Sequence, residues 1–144
     1  MDGKYGMSME LHDFGCERMA EVMQIYEEAG WRAYLTDDEK LRRAFQSSLY
    51  LLGAFDGEKL VGFIRCVGDG EHIVLIQDVI VKKSHRRQGI GSALVKHVLD
   101  RYRHVRMVSL YTDAEDEADN CFYQSLGFRL IEAGGMVSYM KWTD

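Results

Sequence analysis

Residues 78–93 read DVIVKKSHRRQGIGSA. The stretch opens as an apolar strand, passes through a basic turn and enters a helix start punctuated by Gly89 and Gly91. The first turn of a helix carries N–H groups with no intrahelical acceptor, and the macrodipole places about half a positive charge there. Together they form an anion site suited to phosphate. Gly89 and Gly91 lack a Cβ, so a ligand can approach the main chain of Arg86, Arg87, Gln88, Gly89, Ile90, Gly91 and Ser92. Arg86 and Arg87 add guanidinium groups that pair with phosphate oxygens. A dinucleotide fingerprint would need a small residue where Leu94 stands, and no Walker A loop is present.

Working outward, a second block, Phe122-Tyr123-Gln124-Ser125-Leu126-Gly127-Phe128, follows after one helical and one strand-like stretch. Arg86-x-x-Gly89-x-Gly91 resembles the Q/R-x-x-G-x-G/A pyrophosphate motif of the GNAT superfamily of N-acyltransferases, and the second block resembles that superfamily's F-Y-x-x-x-G-F. The resemblance covers roughly residues 31–141. It implies a single GNAT-type domain over residues 1–144: α/β, with a mixed central sheet of about seven strands flanked by about four helices. It also implies acetyl-CoA as acyl donor and an amine as acceptor.

Composition agrees with that class. The chain has 144 residues, 47% hydrophobic and 28% charged, enough for one domain with a sizeable core. Net charge is −5, which argues against general nucleic-acid binding and suits a cationic substrate. Basic residues gather instead at Lys82–Arg87. The first fifteen residues have no apolar core of a signal peptide, and no apolar run approaches a membrane span, so a cytoplasmic location is expected. Cys16, Cys66 and Cys121 are widely spaced, and the five histidines lack ligand spacing, so no metal site is expected.

In chain order, a first strand is expected from about Tyr5 to Leu11, then an amphipathic helix over Cys16–Ala29 that stops at Gly30. A short helix capped by Thr36 or Asp37 runs to about Gln46. Strands at 48–55 and 59–67 flank Asp56-Gly57-Glu58, a hairpin signal. A nearly continuous apolar strand follows at 72–82, then a helix over 90–102 and a strand over 105–111. An acidic turn leads into a helix ending at Gly127, and strands at 128–131 and 136–142 close the sheet.

Acyl transfer from a thioester to an amine needs four things: a held donor, a polarised carbonyl, a deprotonated amine and a protonated leaving thiolate. The resemblance gives the carbonyl and the pantetheine arm to the main chain of Val79, Ile80 and Val81, on a strand that splays from its neighbour at a bulge. It gives the thiolate's proton to Tyr123, with Asn120, one turn earlier, against the donor arm. Relatives carry their asparagine six residues before the tyrosine, where Glu117 stands here. For the acceptor, Trp31 and Tyr34 fall in the early helical region that lines the pocket in GNAT proteins. Spermidine/spermine N-acetyltransferases show Glu-Asp where this chain has Gln77-Asp78. Gln77 cannot act as a base. Asp78 remains as an ammonium ligand or proton relay, or as a structural carboxylate paired with Arg65. His72, at the strand entry, has the better intrinsic pKa for a base.

The reading is an N-acetyltransferase acting by direct attack of a small cationic amine in a ternary complex. A non-catalytic CoA-binding sensor, or a peptide N-acetyltransferase, stand as alternatives. Homodimerisation is left open.

Overall fold

The computed structural model describes residues 9–143. The chain divides into two compact units, one ending at Tyr111 and the other beginning at Thr112. Of the first expected strand, residues 5–8 lie outside the described residues; β1 is Met9–Asp13.

In the first unit, β1 is followed by a 3-10 turn at Cys16–Arg18 and by α1, Met19–Ala29. Gly30 ends α1 in the left-handed region, with φ of 77°. A 3-10 turn at Arg32–Leu35 leads to α2, Asp38–Gln46, whose N-cap Asp37 accepts from the Lys40 N–H at 3.1 Å. Next come β2 (Tyr50–Asp56), β3 (Lys59–Gly68), β4 (Ile73–Val81), α3 (Ile90–Arg101) and β5 (Met107–Leu110). The sheet order is β1-β2-β3-β4-β5. The first four strands are antiparallel neighbours, and β5 joins β4 in parallel after the α3 crossover. Met19, Val22, Ile25 and Tyr26 of α1 and Leu41 and Phe45 of α2 share one core cluster with Phe55, Leu60, Phe63 and Ile80 of the sheet. Alternate residues such as Ile64 and Cys66 lie on the opposite face. There α3 supplies its buried stripe, Ile90, Leu94, Val95 and Val98.

In the second unit, Asp116 caps α4, Glu117–Ser125, through the Asp119 N–H at 2.9 Å. The two closing strands expected at 128–131 and 136–142 do not form. Among the described residues the sheet has five strands, not about seven. Ile131–Gly134 instead winds into a 3-10 turn that ends on Gly135 in the left-handed region. The flanking segments therefore do not meet across a tight hairpin, and two short strands without further partners are marginal. Their apolar side chains stay at the surface, with Tyr139 92% and Trp142 79% exposed. The architecture is α/β, with a mixed sheet and, among the described residues, four α-helices.

Candidate active site

The basic turn after β4 is held from three sides. The Lys82 N–H continues the β3 ladder to the Val61 carbonyl at 2.8 Å. The Lys83 N–H reaches Glu28 Oε1, near the end of α1, at 2.7 Å. His85 bridges Ser84 Oγ through Nδ1 at 2.7 Å and Asp56 Oδ2 through Nε2 at 2.9 Å. The chain then enters α3 through Arg87, with φ of 64°, and Gly89, with φ of 80°. Arg87 is the only non-glycine residue in the left-handed region among the described residues. Such a conformation costs free energy and points to a constraint imposed by function. The glycine at 89 is required by its own φ.

The first helical hydrogen bond of α3 runs from the Ala93 N–H to the Gly89 carbonyl at 3.0 Å, so the N–H groups of Ile90, Gly91 and Ser92 have no intrahelical acceptor. α2 and α4 carry an aspartate cap and acidic first turns. α3 has neither a side-chain cap nor an acid in its first turn, and Arg86 and Arg87 stand exposed beside it. A helix start left bare among cations is an anion site. The Ile90 side chain, by contrast, is core, so only its main chain is available at the helix start.

β4 carries the second element. It pairs with β5 only over Ile73–Ile76 and with β3 as far as Val81. Opposite Arg65 and Cys66 stand Asp78 and Ile76, so Gln77 is an extra residue, a bulge at the point where β5 ends. Beyond it, one edge of β4 has no strand beside it among the described residues. Because Lys82 donates to Val61, the ladder's alternation turns the main-chain groups of Val79 and Val81 away from β3 toward that open edge. Arg86 Nε occupies the Val81 carbonyl at 3.1 Å, leaving the Val81 N–H and both groups of Val79. Ile80 does not belong with them. Its main chain faces β3 by the same alternation, and its side chain lies in the core.

Gln77, Asp78 and Tyr34 come together at the bulge, and Trp31 packs on Tyr34 and Tyr26. Asp78 is 2% exposed and Arg65 6%. Asp78 Oδ2 accepts from Arg65 Nε at 2.8 Å and from the Tyr26 hydroxyl at 2.7 Å; Oδ1 accepts from the Tyr34 hydroxyl at 2.9 Å. Arg65 also reaches Ser48 Oγ at 3.3 Å. Gln77 Nε2 donates to the Tyr34 hydroxyl at 3.1 Å. The rings of Tyr26, Trp31 and Tyr34 form a three-way cluster, with Tyr26 stacked on Trp31 at 5.8 Å and on Tyr34 at 4.6 Å, and Trp31 tilted against Tyr34 at 6.2 Å. Burial first, then the adjacent carboxylate, pushes both the Tyr26 and the Tyr34 phenols above the usual tyrosine range. With its oxygens so engaged, Asp78 has the geometry of the structural carboxylate rather than of an open base.

His72 is not part of this group. It lies in the turn before β4, where Asp69 Oδ1 accepts the N–H groups of Glu71, His72 and Ile73, and its ring is largely solvated. Five to seven residues of strand, roughly 17–23 Å, separate it from Gln77 and Val79. His72 therefore does not stand with the groups gathered at the bulge.

In the second unit, Tyr123 packs edge-to-face on Phe122 and Phe128, at 5.0 and 6.0 Å, which explains the two phenylalanines of its block. Asn120 uses its amide on its own turn: Nδ2 donates to the carbonyls of Asp113 at 2.9 Å and Asp116 at 2.7 Å. Its role is to hold the acidic turn, not to present those donors to a ligand.

Tyr26 and the Glu28 and Asp56 anchors are not found by sequence reading. Tyr26 sits in an apolar helical stripe and reads as core; only the need of a buried hydroxyl for a partner hints at more. Among the described residues no group of three His, Cys, Asp or Glu side chains could hold a metal ion. None of the described helices is long and apolar enough to cross a membrane.

The family model of the acetyltransferase (GNAT) family matches residues 16–128. The chain belongs to the GNAT family. A GNAT family acetyltransferase from Streptococcus pneumoniae TIGR4 is 35% identical, with a TM-score of 0.80 over 94% of this chain and 98% of that one. An uncharacterised ycf52-like N-acetyltransferase of Prochlorococcus marinus is 26% identical over 127 residues, 84% of this chain and 68% of that protein. PaiA N-acetyltransferase of Thermoplasma acidophilum, solved with coenzyme A, shares the fold at 20% identity, with a TM-score of 0.70 over 85% and 91% of the two chains. This GNAT protein is an acetyltransferase.

Proposed function

We propose that this chain transfers the acetyl group of acetyl-CoA to a primary amine, a small cationic one, by direct attack. One observation carries the reading: the bare, cation-flanked start of α3 follows directly on a β4 edge whose main-chain groups have no strand partner among the described residues. In this reading the pyrophosphate lies on the N–H groups of residues 87–92 with Arg86 and Arg87. The pantetheine arm adds to β4 like a strand, at Val79 and Val81. The amine nitrogen forms the new C–N bond as the C–S bond breaks. The thiolate takes a proton from Tyr123, whose phenol, ordinarily near ~10, is matched to a thiol near ~8.5. The ammonium loses one proton to solvent before attack, because Gln77 is an amide and Asp78 is already engaged. The second proton, given up by the nitrogen as the amide forms, restores the Tyr123 phenol.

A cationic acceptor is supported by the net charge of −5 and by the partly exposed rings of Trp31 and Tyr34, since ring faces attract cations. The soluble, cytoplasmic setting expected from the sequence belongs to this proposal, as does a single catalytic domain over residues 1–144.

Calorimetric titration with acetyl-CoA, alongside CoA, tests the donor half. Micromolar binding is expected; none, from folded protein, would overturn it. Thiol release with a panel of amines tests the acceptor half, and tight donor binding without turnover of any amine would favour the sensor. For Tyr123→Phe, kcat falls well beyond any change in acetyl-CoA affinity; an unchanged kcat removes Tyr123 from the mechanism.

A further inference from the structure

The hydrogen bonds around Asp78 have a direction, and that direction ends at Gln77. Asp78 is a carboxylate beside a guanidinium and can only accept. Tyr34 therefore spends its single proton on Asp78 Oδ1, at 2.9 Å. Its oxygen is left to accept, and Gln77, 3.1 Å away, must turn an N–H toward it. An amide whose nitrogen is committed has its carbonyl on the other side. Gln77 Oε1 accepts no hydrogen bond from any described residue, and no buried side-chain oxygen or nitrogen among the described residues lacks a partner. Oε1 is thus open to solvent, on the bulge where β5 ends and the free edge of β4 begins.

The geometry points to Gln77 Oε1 as the group that receives an N–H of the acceptor amine, with Arg65, Asp78 and Tyr34 as positioning residues that fix which end of the amide faces it. The inference rests on the acyl-transfer reading above. It adds a specificity rule: the site selects hydrogen-bond donors, amine or ammonium, against acceptors of similar size such as ethers and esters. A carbonyl serves that purpose without competing for the amine's proton. The aromatic cluster of Trp31, Tyr26 and Tyr34 keeps Tyr34 in place, and Tyr26 gives Asp78 Oδ2 its second donor. The amide thus cannot reverse unless Asp78 gives up a bond.

The test reads the amide directly. In 15N-labelled protein the two side-chain protons of Gln77 are expected at well-separated shifts with slow exchange. In Tyr34→Phe they collapse toward averaged values. Titration with n-butylamine is expected to move the Gln77 side-chain signals, and to need at least about tenfold more amine in Tyr34→Phe, the loss of one oriented hydrogen bond. Gln77→Leu, which leaves the Asp78 network intact, should lose the same binding while keeping the near-ultraviolet dichroism of the parent. Gln77 protons already averaged in the parent, or unmoved by Tyr34→Phe, overturn the positioning role. Equal n-butylamine binding by parent and both variants, or none by the parent, overturns the acceptor role. Acetyl-CoA affinity is measured on the same samples. Its absence would be a failure of the donor reading, separate from the state of the Gln77 amide.

Discussion

The residue that most needs its neighbour is Arg65. It is buried against Asp78 at 2.8 Å, with its guanidinium over the Phe45 ring at 5.3 Å. Replacing it with methionine keeps much of the volume and removes the charge. A carboxylate is then left in the core with two phenolic donors and no counter-ion, which costs about 3–5 kcal/mol. Arg65→Met should lower the urea midpoint accordingly, with an unchanged slope. The double variant Arg65→Met with Asp78→Asn should recover much of the loss, since the unpaired charge is gone while the Tyr26 and Tyr34 hydroxyls keep a hydrogen-bonding partner. An undiminished midpoint in the single variant would mean that Asp78 finds water or another cation. This pair is legible in the sequence only as one of two options. Alternation puts both residues on strands, but whether they meet depends on the bulge at Gln77, which sets the register between β3 and β4.

At the scale of elements, the passage from β4 into α3 combines a strained residue, a left-handed glycine and an uncapped helix. Gly89→Val puts a β-branched side chain where φ is 80°, and bulk where a phosphate would approach the helix start. Acetyl-CoA binding should be lost, while the far-ultraviolet spectrum and a cooperative transition are kept. Donor binding within about tenfold of the parent would mean that the anion sits elsewhere. The sequence shows this element well, because its glycines and arginines are adjacent in the chain and the chemistry is local. It also shows the hairpin at Asp56-Gly57-Glu58 and the stops of α1 and α4, where single residues decide. It fails where pairing decides. Residues 128–131 and 136–142 are as rich in apolar residues as a strand, yet they form no ladder, since strand propensity describes a fit to neighbours and not a preference of the segment alone. Asn120 and His72 mislead for a related reason: each is a plausible ligand by type, and each is placed by a local turn that the type does not announce.

Across the whole molecule, the protons held by buried groups set how stability responds to pH. The Cys66 thiol is pushed up to about 12 by burial. The Tyr50 phenol is likewise pushed up to about 12, by burial first and then by its hydrogen bond to Asp13. Tyr26 and Tyr34 are raised by burial and by Asp78. All four keep their protons in the folded chain at pH values where the unfolded chain releases them. The native state then binds more protons than the unfolded state, so stability falls as pH rises. The contribution is complete below the unfolded pKa of cysteine, near ~8.5, and declines above it. Between about 9 and 10 the decline comes mainly from Cys66, and it approaches about 1.4 kcal/mol per pH unit once the unfolded thiol is ionised. Above about 10 the tyrosines join and the slope steepens, with Tyr26, the most deeply enclosed of them, persisting longest. Urea midpoints at pH 8, 9, 10 and 11 should therefore be flat at first and then fall with increasing slope. Cys66→Ala should be less stable at pH 8, because it leaves a small cavity, yet lose less between pH 9 and 10. A midpoint that holds to pH 11 in the parent, or an equal loss between pH 9 and 10 in the two proteins, would mean that the thiol reaches solvent.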